Sequence, residues 1–118
     1  MTDRPQRAPA RIPMPEALLC LCTCPDAAVA RRLAGLLVEA RLAACVNILP
    51  GLTSVYRWQG AVESAEEALL VIKTDAAHYP ALEETLQREH PYELPEVVAV
   101  SIAAGSTRYL EWLHAALL

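Results

Sequence analysis

Leu52-Thr-Ser-Val-Tyr-Arg-Trp-Gln-Gly60 is a strand-like run that closes on a turn dipeptide, and the chain then returns from Ala65 to Thr74 through Leu69-Leu-Val-Ile72. Two such runs joined by a tight glycine-containing turn read as a β-hairpin. The first arm begins further upstream, at about Ala43, and reaches Leu49 before Pro50-Gly51 interrupts it. Proline lacks a ladder donor and glycine often marks a bulge, so the interruption predicts one long strand that bends. Residues 43–74 are therefore expected to form an extended hairpin, and what flanks it on each side decides the fold.

Upstream, Val29, Leu33, Leu36, Leu37 and Ala40 recur at helical spacing while Arg31, Arg32 and Glu39 fall elsewhere, and Asp26 is placed to cap the first turn. Before that helix, Ala17-Leu-Leu-Cys-Leu-Cys-Thr-Cys24 is short, nearly all apolar and closed by Pro25-Asp26, the pattern of a strand covered on both faces. Alternation puts Cys20, Cys22 and Cys24 on one of those faces. Downstream, a helical pattern starts at Asp75, carries Ala77, Leu82 and Leu86, tolerates Pro80 in its first turn and stops at His90-Pro91. Glu96 to Ala104 reads as a last strand, Gly105 breaks it, and Ser106 caps a terminal helix bearing Leu110, Leu113 and Leu117.

Two strand-helix-strand units joined by a hairpin give an α+β fold: a ferredoxin-like split βαβ sandwich with both long helices on one face, an extended β-hairpin and an extra C-terminal helix. Residues 1–15, with Pro5, Pro9, Pro13 and Pro15 among arginines and small residues, are expected to be a disordered tail. Residues 16–118 are expected to be a single domain. The hairpin arms outreach a four-stranded sheet, whose strands usually run about five or six residues, and long free edges invite pairing with another chain. Tyr56 and Trp58 near the tip suit such an interface.

With 54% hydrophobic residues in 118, the chain can fill one core. Beyond residue 15 it carries 7 basic and 13 acidic groups, a net −6. Nucleic acid needs a basic face, so it is excluded as an expected partner, whereas a cation suits this balance. No run is long enough to cross a bilayer, and the N-terminal arginines are not followed by an apolar signal core, so no membrane partner is expected and the compartment is read as cytoplasmic. There Cys20, Cys22, Cys24 and Cys45 should stay reduced.

Chemistry-bearing residues are few. Glu89-His-Pro-Tyr-Glu-Leu-Pro-Glu96 is a stiff elbow at the end of the second helix, setting the His90 imidazole beside the Glu89 carboxylate. Cys22 is a thiol that a fold could bring to them; read blandly it is a small core residue, and His90 is a helix-terminal residue favoured by the helix dipole. Cys20 and Cys24 read as packing, because thiols along one strand point in parallel, and His78 and His114 read as surface residues. With no Cys-x-x-Cys, nucleophile elbow, Gly-rich phosphate loop or zinc-helix motif, no enzymatic activity is expected.

Cys22-Thr-Cys-Pro-Asp26, Arg41-Leu-Ala-Ala-Cys-Val-Asn47, Ser54-Val-Tyr-Arg-Trp-Gln-Gly60, Ile72-Lys-Thr74, His90-Pro-Tyr-Glu-Leu-Pro-Glu96 and Tyr109-Leu-Glu-Trp-Leu113 together resemble the CutA family of divalent-cation tolerance proteins. The stretches come in the family's order over roughly residues 17–114. The resemblance implies a ferredoxin-like homotrimer, similar in architecture to PII-type signalling proteins and associated with copper and other divalent cations. It further implies metal ligands at a first-strand cysteine, which matches Cys22, and at two adjacent histidines, of which the second matches His90 and the first is Glu89 here.

The candidate metal set is therefore Cys22, Glu89 and His90, with copper the leading cation. A carboxylate is a harder donor than imidazole, which shifts the preference away from Cu(I). Because a cysteine on a strand covered on both faces is poorly placed to reach a surface elbow, the expected site is a weak, open one built on His90 and Glu89. The competing expectation is a PII-like sensor or scaffold that binds a small metabolite or a partner protein, with metal incidental.

Overall fold

Gln59 and Gly60 take φ values of 47° and 83°, the two left-handed residues that a two-residue hairpin turn needs if its twist is to match that of the strands. Around this turn the computed structural model describes residues 14–118; the expectation of a tail over 1–15 falls, up to residue 13, outside the described residues. The elements are β1 (Ala17–Cys24), α1 (Ala27–Glu39), β2 (Cys45–Trp58), β3 (Ala61–Asp75), α2 (Tyr79–Glu89), β4 (Val98–Ser101) and α3 (Thr107–Ala116). The strands form one antiparallel sheet in the order β2-β3-β1-β4. Each crossover thus joins parallel strands with one antiparallel strand between them, which is the split arrangement expected.

The interruption at Pro50-Gly51 is a bulge inside β2. Leu49 pairs with Leu69 and Leu52 with Glu67, so β2 carries one residue more than β3 across this step, and Gly51 takes a φ of 75°. Helix starts follow their caps: the Asp26 carboxylate accepts the Val29 N–H at 2.8 Å, and the Ser106 hydroxyl accepts the Tyr109 N–H at 3.2 Å. Pro80 sits in the first turn of α2, where its missing N–H costs nothing.

The core lies between the sheet and the two long helices. Ala30, Leu33, Ala34 and Leu37 of α1 and Leu82 and Leu86 of α2 bury Cys20, Cys22, Cys24, Ala68, Leu70 and Ile72. A smaller cluster of Ala44, Leu113 and Leu117 seats α3.

Four sequence expectations need correction. The strand β1 is covered on one face only, since both long helices lie on the same side; Leu19 and Leu21 on the other face are only half-buried. The last strand, expected over Glu96 to Ala104, is four residues long, pairs with Leu18–Leu21 of β1 and is exposed throughout. Asp75 ends β3 and does not begin α2, and it is buried, at 3% exposure. Its carboxylate lies 2.7 Å from His78 Nδ1 and 3.4 Å from His114 Nδ1, so these histidines, read from sequence as surface residues, tie β3 to the start of α2 and to α3. His114 itself is 8% exposed.

Candidate metal centre

The strand period of two sets Cys22 and Cys24 side by side on the helix-facing side of β1, and both are fully buried. The imidazole reaches them from the other end of the chain. Pro91 forces its predecessor out of the helix, and His90 adopts φ −75° and ψ 140° while its N–H still closes the last turn of α2 on Leu86 O at 3.0 Å. That kink turns the ring back onto the end of β1, where only 7% of the residue is exposed.

Two bonds fix the ring. Nε2–H donates to the Thr23 carbonyl at 2.8 Å, and Nδ1 accepts the Tyr92 N–H at 3.1 Å. Since a backbone N–H can only donate, Nδ1 is the bare nitrogen and the proton sits on Nε2. The Tyr92 ring lies 4.6 Å from the imidazole, and its hydroxyl donates to Glu67 at 2.8 Å. Burial, followed by that bond to a carboxylate, pushes the Tyr92 phenol well above its ordinary range. Pro95, also buried, holds the far end of the elbow.

One donor atom each from Cys22, Cys24 and His90 lies within 4.8 Å of the other two. The Thr23 carbonyl that accepts His90 Nε2–H also faces the Cys22 thiol at 3.8 Å, so ring and thiol converge on one oxygen. Cys22 is pushed well above the usual thiol range, first by hydrogen bonding with Cys24 and then by burial, and the same bond lowers Cys24. Both ring nitrogens of His90 are thus hydrogen-bonded to backbone groups beside the two thiols. The donors nonetheless fit a metal. In a tetrahedral zinc site with Zn–S bonds of about 2.3 Å, two sulfurs stand about 3.8 Å apart, so a contraction of about 1 Å or less is needed.

Of the residues singled out in the sequence, the fold brings Cys22 and His90 together, against the expectation that the strand cysteine could not reach the elbow. The His90 ring folds back across the end of β1, while Pro91, Glu93, Leu94 and Glu96 of the elbow stay exposed. Glu89 goes elsewhere: its carboxylate lies 3.7 Å from Arg32 and 3.6 Å from Arg88, and Arg32 Nη2 donates to its carbonyl at 3.0 Å. Cys24, read from sequence as packing because thiols along one strand point in parallel, lies beside Cys22 and His90 in this cluster.

A family model described as CutA1 divalent ion tolerance protein matches residues 18–116. A Thermus thermophilus protein named divalent-cation tolerance protein CutA is 55% identical over 94 residues, which span 80% of this chain and 91% of that one. A crystal structure of CutA from Xylella fastidiosa superposes with a TM-score of 0.85 at 44% identity, covering 87% of this chain and 99% of its own. A structure from Archaeoglobus fulgidus, described as a periplasmic divalent cation tolerance protein CutA, gives 0.84 at 30% identity over 86% of this chain and 99% of its own.

Proposed function

The chain belongs to the CutA1 divalent ion tolerance protein family, and from that premise we propose that it is a homotrimeric, non-enzymatic protein serving metal tolerance in a reducing cytoplasm. It binds a divalent cation, copper in the first place, at His90 and Cys22. The observation that supports this reading is the convergence of the buried His90 imidazole and Cys22 thiol on the Thr23 carbonyl, with donor atoms no more than 4.8 Å apart. Imidazole and thiolate are the donors that first-row divalent ions of the copper and zinc end of the series take up most readily. Glu89 is given no bond to the ion, because Arg32 and Arg88 already hold its carboxylate.

Anaerobic calorimetric titration with Cu(II) and with Zn(II) tests the site. The His90→Ala variant is expected to bind at least about tenfold more weakly, a loss of about 1.4 kcal/mol, while Glu89→Gln stays within about twofold of wild type. Unchanged affinity in His90→Ala removes the imidazole as a ligand and the reading with it.

The trimer is supported by surface that a single chain leaves bare. Leu19, Leu21, Leu69, Val71, Val98 and Val100 share the sheet face opposite the helices, and Val98 and Val100 are half exposed. Fourteen-residue β2 and four-residue β4 are the two free edges, which a closed ring of subunits would pair. Val55 and Val62 in the hairpin are exposed to 70% and 66%. Trp58→Ala is expected to weaken association by about 2 kcal/mol, as for a buried aromatic anchor. Light scattering should then show a shift toward lower mass on dilution; a wild-type chain that is a monomer at micromolar concentration ends the proposal.

A further inference from the structure

We infer that Cys24 is also a metal ligand, so that Cys22, Cys24 and His90 make a two-sulfur, one-nitrogen site for a thiophilic divalent cation of the zinc and cadmium class. This rests on the proposed roles of Cys22 and His90 and adds to them a residue and a cation class.

Three observations carry it. Cys24 belongs to the one group of three ligating side chains among the described residues, and its donor atom lies within 4.8 Å of the imidazole and of the neighbouring thiol. It is fully buried beside them, where solvent does not compete for the ion. The carboxylate nearest in sequence to His90 is bound to Arg32 and Arg88, which leaves sulfur as the donor next to nitrogen in this cluster. Three thiols along β1 do point in parallel, yet a tetrahedral centre asks only two of them to be neighbours if the third ligand arrives from another element, as His90 does.

The donor count then selects the cation. Two thiolates and a neutral imidazole balance a charge of +2, whereas a monovalent cuprous ion would leave a net negative charge in a buried place, with Glu67 and Glu96 close enough to act on Cys22. Sulfur-rich sites favour zinc and its heavier congener over magnesium, calcium or manganese, which prefer oxygen. Cadmium is redox-inert toward thiolates and reports sulfur ligation through an ultraviolet charge-transfer band, which makes it the probe.

The full chain, reduced and anaerobic, is titrated with Cd(II) alone while that band is recorded, and cadmium NMR on the wild type counts the sulfur ligands without any substitution. Two sulfurs by NMR, with about half of the band lost in Cys24→Ser or Cys24→Ala, half in Cys22→Ser, and affinity at least tenfold lower in each, support the inference. One sulfur by NMR, or an unchanged band and affinity in both Cys24 variants, overturns it. If Cys22→Ser and His90→Ala still lose binding in that case, the underlying site survives; if they do not, it falls as well.

Discussion

Leu70→Ala is expected to lower the unfolding free energy by about 3–4 kcal/mol, within the range found when a buried leucine is truncated and the cavity cannot collapse. Leu70 is fully buried, pairs with Cys22 on one side and Ile48 on the other, and belongs to the cluster that both long helices cover. Its neighbours Ile48 and Cys22 are held by the sheet ladder, so the space left behind stays open. A domain whose total stability is of the order of 5–15 kcal/mol loses a large share of it through this one change. Urea denaturation at fixed protein concentration measures it, and a loss below about 1 kcal/mol would mean that the core relaxes around the gap.

Asp75→Ala should cost about 2 kcal/mol at neutral pH, because it removes the acceptor that the His78 and His114 imidazoles share; the His78 N–H loses its side-chain acceptor but keeps the residue-75 carbonyl at 3.2 Å. Burial on its own would raise this carboxyl; the hydrogen bonds from the His78 ring and backbone, the charge of His78 and the contact with His114 outweigh it, and the carboxyl is held below its ordinary value. A folded-state pKa below the unfolded one contributes stability that is fully present above the unfolded value, about 3.9, and is lost as pH falls through the folded value. Through this carboxyl, the difference between wild type and Asp75→Ala should therefore be present above about pH 4 and shrink below it. Asp75→Asn keeps an acceptor for the His78 N–H and should lose less. A difference that grows on acidification would contradict this assignment.

Local chemistry made most of the fold legible. Asp26, Ser106 and Gln59-Gly60 act on residues within a turn of themselves, so the elements they start or reverse can be read from a few neighbouring letters. The cluster of Cys22, Cys24 and His90 depends on a contact between Thr23 and His90, 67 residues apart, and nothing in either stretch announces the other. Glu89 misled because adjacency along the chain was taken for adjacency in space. Where helix gives way to extended backbone, successive side chains diverge: Glu89 stays on the helix facing Arg32, while His90 swings back to β1. Asp75 was misplaced for the same reason, since its partner His114 lies 39 residues further on.

The strand order also governs how the chain reaches this state. β1 is made first yet lies at the centre of the sheet, with one neighbour beginning to pair at Ala68 and the other at Val98. During synthesis its apolar residues have no sheet partner until most of the chain has emerged, whereas the β2–β3 hairpin closes over two residues and can form alone on a timescale of about 1–10 μs. Insertion of β1 between β3 and β4 closes long loops, and pairings of that kind slow folding. Until then the apolar strand stands open, and conditions that bring chains together first, such as dilution from denaturant at high protein concentration, should divert chains into aggregates without any change in the stability of the finished fold.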